Sequence, residues 1–260
     1  MIRIGITGAG GRMGQAVIAA LDTAGGNKLE LGGAYVRPGS ALVGETIKGV
    51  RVTSDLAEML ADVDLVIDFT LPEFTTELAD ACSRAATPLV SGTTGLGRTE
   101  WQALETLALS VPVFHAPNMS LGVNLLLQTV ETIAARLGQD YDVEIVEAHH
   151  RHKQDAPSGT ALALGERVAA ARDQDFASVV EHGREGSTGA RERGRIGMHS
   201  LRGGEIVGEH DVRFIAGGEE LRLGHSAFSR RAFADGALRA AAWLNGQAPG
   251  LYRFSDLLSG

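Results

Sequence analysis

Ile2, Ile4 and Ile6 alternate along the first residues of the chain, which then passes through Gly8-Ala9-Gly10-Gly11-Arg12-Met13-Gly14 into Met13, Val17, Ile18 and Leu21 at helical spacing. A strand, a glycine turn and a helix in that order are the opening of an α/β fold built from βαβ units. Successive glycines let backbone N–H groups approach a pyrophosphate, and the helix that follows directs its positive end at the same anion. The glycines fall at 8, 11 and 14, a G-x-x-G-x-x-G variant, whereas strict G-x-G-x-x-G spacing would put the third glycine where Met13 stands. Taken alone, the turn is also compatible with a tight βα connection that binds nothing.

The alternation continues. Strands are expected at Leu29–Tyr35, Val50–Thr53, 65–69, Leu89–Ser91 and 111–115, with helices between them at 54–60, 73–86 and 100–110. After Pro117 the rhythm changes to a longer helix at 122–137, a strand at 143–148, the polar run 149–160 and a helix at 161–171. The Gly-, Arg- and Glu-rich stretch 181–195 reads as a mobile loop. Strands at 196–201, 205–212 and 221–225 are then separated by Arg202-Gly203-Gly204 and Ala216-Gly217-Gly218, both hairpin-type turns, and an Ala-rich amphipathic helix follows at 232–244. The expected fold is α/β: a Rossmann-like dinucleotide-binding domain with a parallel sheet, at 1–120 and 230–260, and a second α+β domain with a mostly antiparallel or mixed sheet, at 121–229.

Composition narrows the function. A chain of 260 residues, 44% hydrophobic and 22% charged, can bury a core and is not disordered. A net charge of −8 argues against a nucleic-acid partner, since phosphate neutralisation needs clustered Lys and Arg. The single cysteine, Cys82, cannot form an internal disulfide and reads as a small buried hydrophobe. No apolar run approaches the ~20 residues that span a bilayer, and the N-terminus reads as a strand without a leader, so the protein is expected in the cytoplasm and away from membranes.

In a dinucleotide fold the end of the second strand selects the cofactor: a carboxylate there accepts the ribose 2′-hydroxyl, and an Arg accommodates a 2′-phosphate. That end reads Ala34-Tyr35-Val36-Arg37. No acid stands at the expected place and Arg37 offers a guanidinium fork, which favours NADPH over NADH unless Arg37 is simply a solvated loop residue. The carboxyl ends of later strands, Asp68-Phe69-Thr70, Ser91-Gly92-Thr93-Thr94-Gly95 and His115-Ala116-Pro117-Asn118-Met119, are rich in small and polar groups that suit the rest of the cofactor.

The run Glu147-Ala148-His149-His150-Arg151-His152-Lys153-Gln154-Asp155-Ala156-Pro157-Ser158-Gly159-Thr160-Ala161 sets potential cations at every position from His149 to Lys153 just before a helix. Pro157 suits a first-turn position, which would leave the N–H groups of Ser158, Gly159 and Thr160 unpaired. Cations and free amides together make an anion receptor, with a His available for proton transfer near neutral pH. A metal site is disfavoured, because successive residues of an extended segment point to opposite sides and no Cys or convincing carboxylate partner stands nearby.

Together these motifs resemble the 4-hydroxy-tetrahydrodipicolinate reductase (dihydrodipicolinate reductase) family of lysine and diaminopimelate biosynthesis. The likeness runs nearly end to end and includes Arg184-Glu185-Gly186, Thr188-Gly189 and Val207-Gly208-Glu209-His210. It implies reduction of a small cyclic dicarboxylate imine to tetrahydrodipicolinate by NADPH or NADH, with loss of water from the hydroxylated substrate. By the resemblance His149 is the acid/base residue and Lys153 the proton donor, while His150, Gly159 and Thr160, with Ser158 beside them, contact substrate. Gly8, Ala9, Gly10, Gly11, Arg12, Met13, Arg37, Gly92, Thr93, Thr94, Ala116, Pro117, Asn118 and Met119 match the cofactor site. The resemblance also implies a homotetramer built through the second domain's sheet and hinge closure on substrate. Val36 departs from the acidic residue many members carry, and Ser187 stands where some have His, with no role assigned to it. A reductase of another small dicarboxylate, or a non-catalytic NADPH-binding sensor, would keep the glycine turn; only turnover separates the sensor from the enzyme.

Overall fold

The computed structural model describes residues 1–22 and 29–259. The chain divides into one unit of Met1–Leu121 with Arg230–Gly260 and a second of Gly122–Ser229. Along the first stretch run strands β1 (Ile2–Thr7), β2 (Leu29–Tyr35), β3 (Thr46–Ile47), β4 (Val50–Thr53), β5 (Leu65–Asp68), β6 (Leu89–Ser91) and β7 (Pro112–His115). The second unit holds β8 (Asp142–His149), β9 (Val180–His182), β10 (Ile196–Arg202), β11 (Gly208–Ile215) and β12 (Glu220–Ala227), and the returning chain adds β13 (Gly250–Tyr252) to the first. The short strands β3, β9 and β13 carry too few residues for an alternation to register, and the sequence reading passes over them.

The first sheet has the order β13-β7-β6-β5-β1-β2-β4-β3, and every ladder is parallel except β3 with β4. Strands β5, β6 and β7 are buried at every residue, as a parallel sheet covered on both faces requires. Ile4, Ile6, Ile67 and Phe114 pack on one face with Val17 and Ile18 of the helix Arg12–Ala20 and Ala237, Leu238 and Ala241 of the helix Arg231–Leu244. Val66 and Val113 pack on the other with Leu78, Cys82 and Leu104 from the helices Pro72–Ala85 and Arg98–Leu107. Cys82 is buried and free, as expected.

The second sheet, β12-β11-β8-β10-β9, is mixed. Its β8–β10 and β10–β9 ladders are parallel and its β8–β11 and β11–β12 ladders antiparallel, so it is less antiparallel than the turns suggested. The difference lies at Arg202-Gly203-Gly204, which is not a hairpin turn. It carries the chain over the end of β8, where Gly203 N–H donates to His149 O (3.0 Å) and Arg151 N–H to Gly204 O (3.2 Å), and β11 then pairs on the far side of β8. The Ala216-Gly217-Gly218 turn does join the antiparallel neighbours β11 and β12. The stretch 181–195, expected as a mobile loop, carries defined contacts. It starts in β9, and Arg191 ties it down through Asp142 Oδ1 (2.7 Å), Glu144 Oε1 (3.0 Å) and the carbonyl of Val143 (3.0 Å). Val143, Ile145, Met198, Val212 and Phe214 form this unit's core against Val130, Ala134, Leu164 and Val168 of the helices Leu121–Leu137 and Gly159–Ala171.

Candidate active site

In the first unit the carboxyl ends of β1, β2, β5, β6 and β7 lie along one edge of the parallel sheet, and β1 is flanked by β2 and β5, the point where the strand order reverses. Ligands of open α/β sheets bind at such a point. Gly8, Gly10, Gly11, Val36, Arg37, Ser40, Leu42, Thr70 and Phe74 line a hollow there, so the glycine turn and Arg37 face the same space. The glycines are there because the backbone must be. Gly8 has φ +68, and a Cβ on Gly14 would overlap the carbonyl oxygen of Gly8, which seats the helix Arg12–Ala20 directly on the turn. Gly11 precedes that helix, so the amides of Arg12 and Met13 have no partner within it. A hollow free of side chains at the glycines, with helix-start amides beside it, fits a dinucleotide pyrophosphate.

Other residues expected at the cofactor fall differently. Ala9, Ala116 and Met119 are buried in the core, so only their backbone is available to a ligand. Thr94 and Pro117 are exposed, Gly92 and Asn118 partly so, and Asn118 Oδ1 accepts from Ser120 N–H (2.9 Å). Thr93 is committed to a group that sequence reasoning missed. Asp68, fully buried at the end of β5, accepts hydroxyls from Thr7 (2.7 Å), Thr70 (2.6 Å), Thr93 (2.7 Å) and Ser91 (3.3 Å). These bonds join the ends of β1, β5 and β6 to the Gly92–Thr94 loop without a cation. The Asp-Phe-Thr and Gly-Thr-Thr motifs were visible, but nothing local says that they meet on one carboxylate.

In the second unit β8 changes character along its length. Val143 and Ile145 point into the core, and the next two residues on the same face are Glu147 and His149. Glu147 Oε2 lies 2.6 Å from His149 Nδ1. Arg202, at the end of the neighbouring β10, grips the same carboxylate through Nη2 to Oε1 (2.7 Å) and Nη1 to Oε2 (2.8 Å). Burial pushes the Glu147 carboxyl up, but hydrogen bonds from Arg202, Ser200 and His149 outweigh it and hold the group down at about 2. His149 is pulled below its ordinary value by burial first and then by the charges of Lys153 and Arg202, against Glu147. A carboxylate partner therefore does stand beside the histidines, two residues back on the same face. Even so, no cluster of three metal-ligating residues occurs among the described residues.

Only part of the basic run converges. Arg151 and His152 are exposed, and His152 reaches no closer than 3.8 Å to Glu205. Lys153 is largely covered and pairs with Asp155 (2.9 Å). His150 keeps a buried Nδ1 that has no hydrogen-bond partner among the described residues. The helix Gly159–Ala171 starts two residues ahead of the expected 161 and leaves Pro157 outside its first turn, because Ser158 is the N-cap and its Oγ accepts from Ala161 N–H (3.2 Å). Nor is the Ser158 amide open to an anion, since it donates to Glu147 Oε1 (3.2 Å). Over Gly159 there is room: an added Cβ would meet nothing within 4 Å. His210 of β11, also missed as a site residue, lies 3.0 Å from Ser158 Oγ through Nε2 and stands edge-on to His149 at 5.2 Å.

A nucleotide cradle on a parallel sheet and a histidine–lysine cluster beside a helix start define a dinucleotide-dependent oxidoreductase. The family model described as dihydrodipicolinate reductase, N-terminus, matches residues 2–119, and its C-terminus counterpart matches 122–258. The 4-hydroxy-tetrahydrodipicolinate reductase of Hahella chejuensis is 48% identical with 99% of each chain covered, and that of Pseudomonas fluorescens 46% identical with the same coverage. Among solved structures, a dipicolinate-bound dihydrodipicolinate reductase from Paenisporosarcina sp. TG-14 has a TM-score of 0.76 at 26% identity, with 97% of each chain covered. The chain belongs to the dihydrodipicolinate reductase family, and it is a reductase that uses a nicotinamide dinucleotide. No helix among the described residues is long and apolar enough to cross a membrane.

Proposed function

We propose that this chain reduces the cyclic dicarboxylate 4-hydroxy-tetrahydrodipicolinate, with NADPH as the preferred donor and His149 and Lys153 as the residues that manage protons. The observation that carries the reading is the meeting of His149, Lys153 and the start of the helix Gly159–Ala171 at the end of β8. NADPH supplies the hydride when bound. The amides of Arg12 and Met13 would hold its pyrophosphate and Arg37 its 2′-phosphate, while Val36 offers no acceptor to a free 2′-hydroxyl.

On the acceptor side, Gly159 and Thr160 take one carboxylate with Ser158 fixing the turn, and His150 takes the other, while Lys153 leaves Asp155 to face the ring. Loss of water breaks the ring's C–O bond and a neighbouring C–H bond, the carbon's proton going to the departing hydroxyl; the conjugated imine so formed would accept hydride from the bound nucleotide, and the negative charge that builds there is met by a proton from Lys153. Cations and a donor already in position lower that barrier more than they stabilise the bound acid. His149 Nε2 takes the proton from the ring carbon and returns it to the departing hydroxyl.

The test is a spectrophotometric assay of NADPH oxidation with the cyclic acid generated in situ. Lys153→Ala and His149→Asn are each expected to lower kcat by about 10² with NADPH affinity unchanged. Full activity in Lys153→Ala would reject its role. Arg37→Met is expected to lower kcat/KM for NADPH by about 10-fold or more and leave NADH use intact; equal loss with both would remove the basis for the preference. The assembly proposed is the homotetramer the family resemblance implies, built through the second sheet. Leu201, exposed on the face away from that sheet's helices, supports it. Sedimentation equilibrium returning a monomer mass would rule the tetramer out.

A further inference from the structure

Glu147 is almost completely buried, and its carboxylate is the meeting point of three elements. From β8 itself comes His149 Nδ1, from β10 the two Nη atoms of Arg202, and from the start of the helix Gly159–Ala171 the amide of Ser158. We propose that Glu147 is a positioning residue of the reduction: it keeps the proton of neutral His149 on Nδ1 so that Nε2 is the atom that exchanges protons, and it holds that atom in fixed register with the helix start that receives the substrate's carboxylate. The proposal rests on the reading of His149 as the acid/base residue.

The chemistry leaves little choice of tautomer. An ionised carboxylate only accepts hydrogen bonds, so the imidazole nitrogen 2.6 Å from it carries the proton and the other nitrogen carries the lone pair. That other nitrogen is kept clear. A Cβ on Gly208 of β11 would come within 3.1 Å of His149 Nε2. The charged and titratable groups that face His149 are Glu147 on its own strand, Lys153 on the loop that follows, Arg202 from β10 and His210 from β11. His225 of β12 lies behind His210. Of these only Glu147 favours the imidazolium; Lys153 and Arg202 oppose it. Arg202 also fastens the carboxylate, so that the imidazole cannot swing with it.

A Gln at 147 has nearly the shape of Glu but presents either an amide N–H or a weaker neutral acceptor to Nδ1. Arg202 Nη2 and the Ser158 amide both donate at one oxygen, so the carbonyl keeps that place and the NH2 takes the other, where it leaves Arg202 Nη1 without an acceptor, turns an N–H toward the imidazole and drives the proton to Nε2. In Glu147→Gln, kcat is expected to fall by about 10², as a wrong tautomer does in acid–base catalysis. KM for the acid and the dissociation constant of NADPH should change less than about threefold. Loss of the negative neighbour also moves the limb of the pH–kcat profile that belongs to His149 to lower pH, by about one pH unit. A residue that merely held the fold would lower stability and leave the limb in place.

Nitrogen-15 spectra of the imidazoles, with His149 assigned by its absence in His149→Asn, read the tautomer directly. The wild-type enzyme should show protonated Nδ1 and Glu147→Gln protonated Nε2. An unchanged kcat and an unchanged limb in folded Glu147→Gln would overturn the proposal, and so would protonated Nε2 in the wild type, which needs no variant to fold. Undiminished turnover in His149→Asn would instead remove the acid/base reading and the proposal with it. Loss in His149→Asn without loss in Glu147→Gln removes the proposal alone.

Discussion

Two glycines of this chain do opposite work. Gly14 has no room for a side chain, since a Cβ there would overlap the Gly8 carbonyl and crowd Ala9 Cα (2.9 Å). Gly159 has only open space around its α-carbon. Gly14→Ala is therefore expected to destabilise the first unit by about 2 kcal/mol, in the range for overpacking, and to weaken NADPH binding because the turn must shift; urea unfolding and a fluorescence titration measure both. Gly159→Ala should leave the urea midpoint unchanged and raise KM for the acid. An equal loss of stability in both variants would contradict this division. At the scale of single residues the sequence was most readable where a motif is local. The glycine spacing, Arg37 and the run from His149 to Thr160 could be found without coordinates. Arg202 could not, because its importance depends on a carboxylate 55 residues away, and a comparable separation hides His210 from Ser158.

The strand β8 is where packing gives way to chemistry. Its inward face is apolar at Val143 and Ile145 and ionisable at Glu147 and His149, and the paired positions on β11 follow suit, from Val212 opposite Ile145 to His210 opposite Glu147. That arrangement makes the second unit sensitive to acid. His210 is held at about 4 by burial and then by the neighbouring His149. An unfolded imidazole takes its proton near 6.5, so as pH falls the unfolded chain binds protons first. Stability is full above that value and declines towards pH 4, by about 3 kcal/mol. Glu147 acts in the same direction lower down: its native value lies below the ordinary carboxylate value, so its contribution is present above about 4.5 and fades towards pH 2. Urea unfolding at several pH values should show the first decline in the wild type and little of it in His210→Asn. An identical slope in both would refute the assignment. Periodicity was enough to find β1, β2, β4 to β8 and β10 to β12 to within a few residues. It could not say which strands are neighbours, and so Arg202-Gly203-Gly204 read as a hairpin. An Arg-Gly-Gly sequence marks a reversal of the chain, but whether the strand beyond it pairs with the one before or steps across a third is decided by non-local packing.

At the scale of the whole molecule the decisive fact is connectivity. The first unit is made from the two ends of the chain and the second from its middle. The helix Arg231–Leu244 supplies Ala234, Ala237, Leu238 and Ala241 to the core under β1, and Phe114 of β7 rests edge-on against Trp243 (6.2 Å) and Phe254 (5.1 Å). A fragment of residues 1–121 is thus expected to expose Ile4, Ile6 and Phe114 and to fail to fold, whereas the same fragment joined by a short linker to residues 230–260 should fold and bind NADPH. Circular dichroism and a nucleotide titration distinguish the two; a folded, NADPH-binding fragment of 1–121 would disprove the dependence. The amphipathic pattern of 232–244 announces a helix, and 230–260 is expected with the dinucleotide-binding domain, but no pattern foretells how closely it seats there, with Gly236 against the Met119 carbonyl. The ribosome releases this polypeptide from its amino end, so the half that emerges first must wait, with β1 unprotected, while the middle becomes the earliest segment able to close on itself. Chaperone demand during synthesis should accordingly peak before residue 230 leaves the exit tunnel.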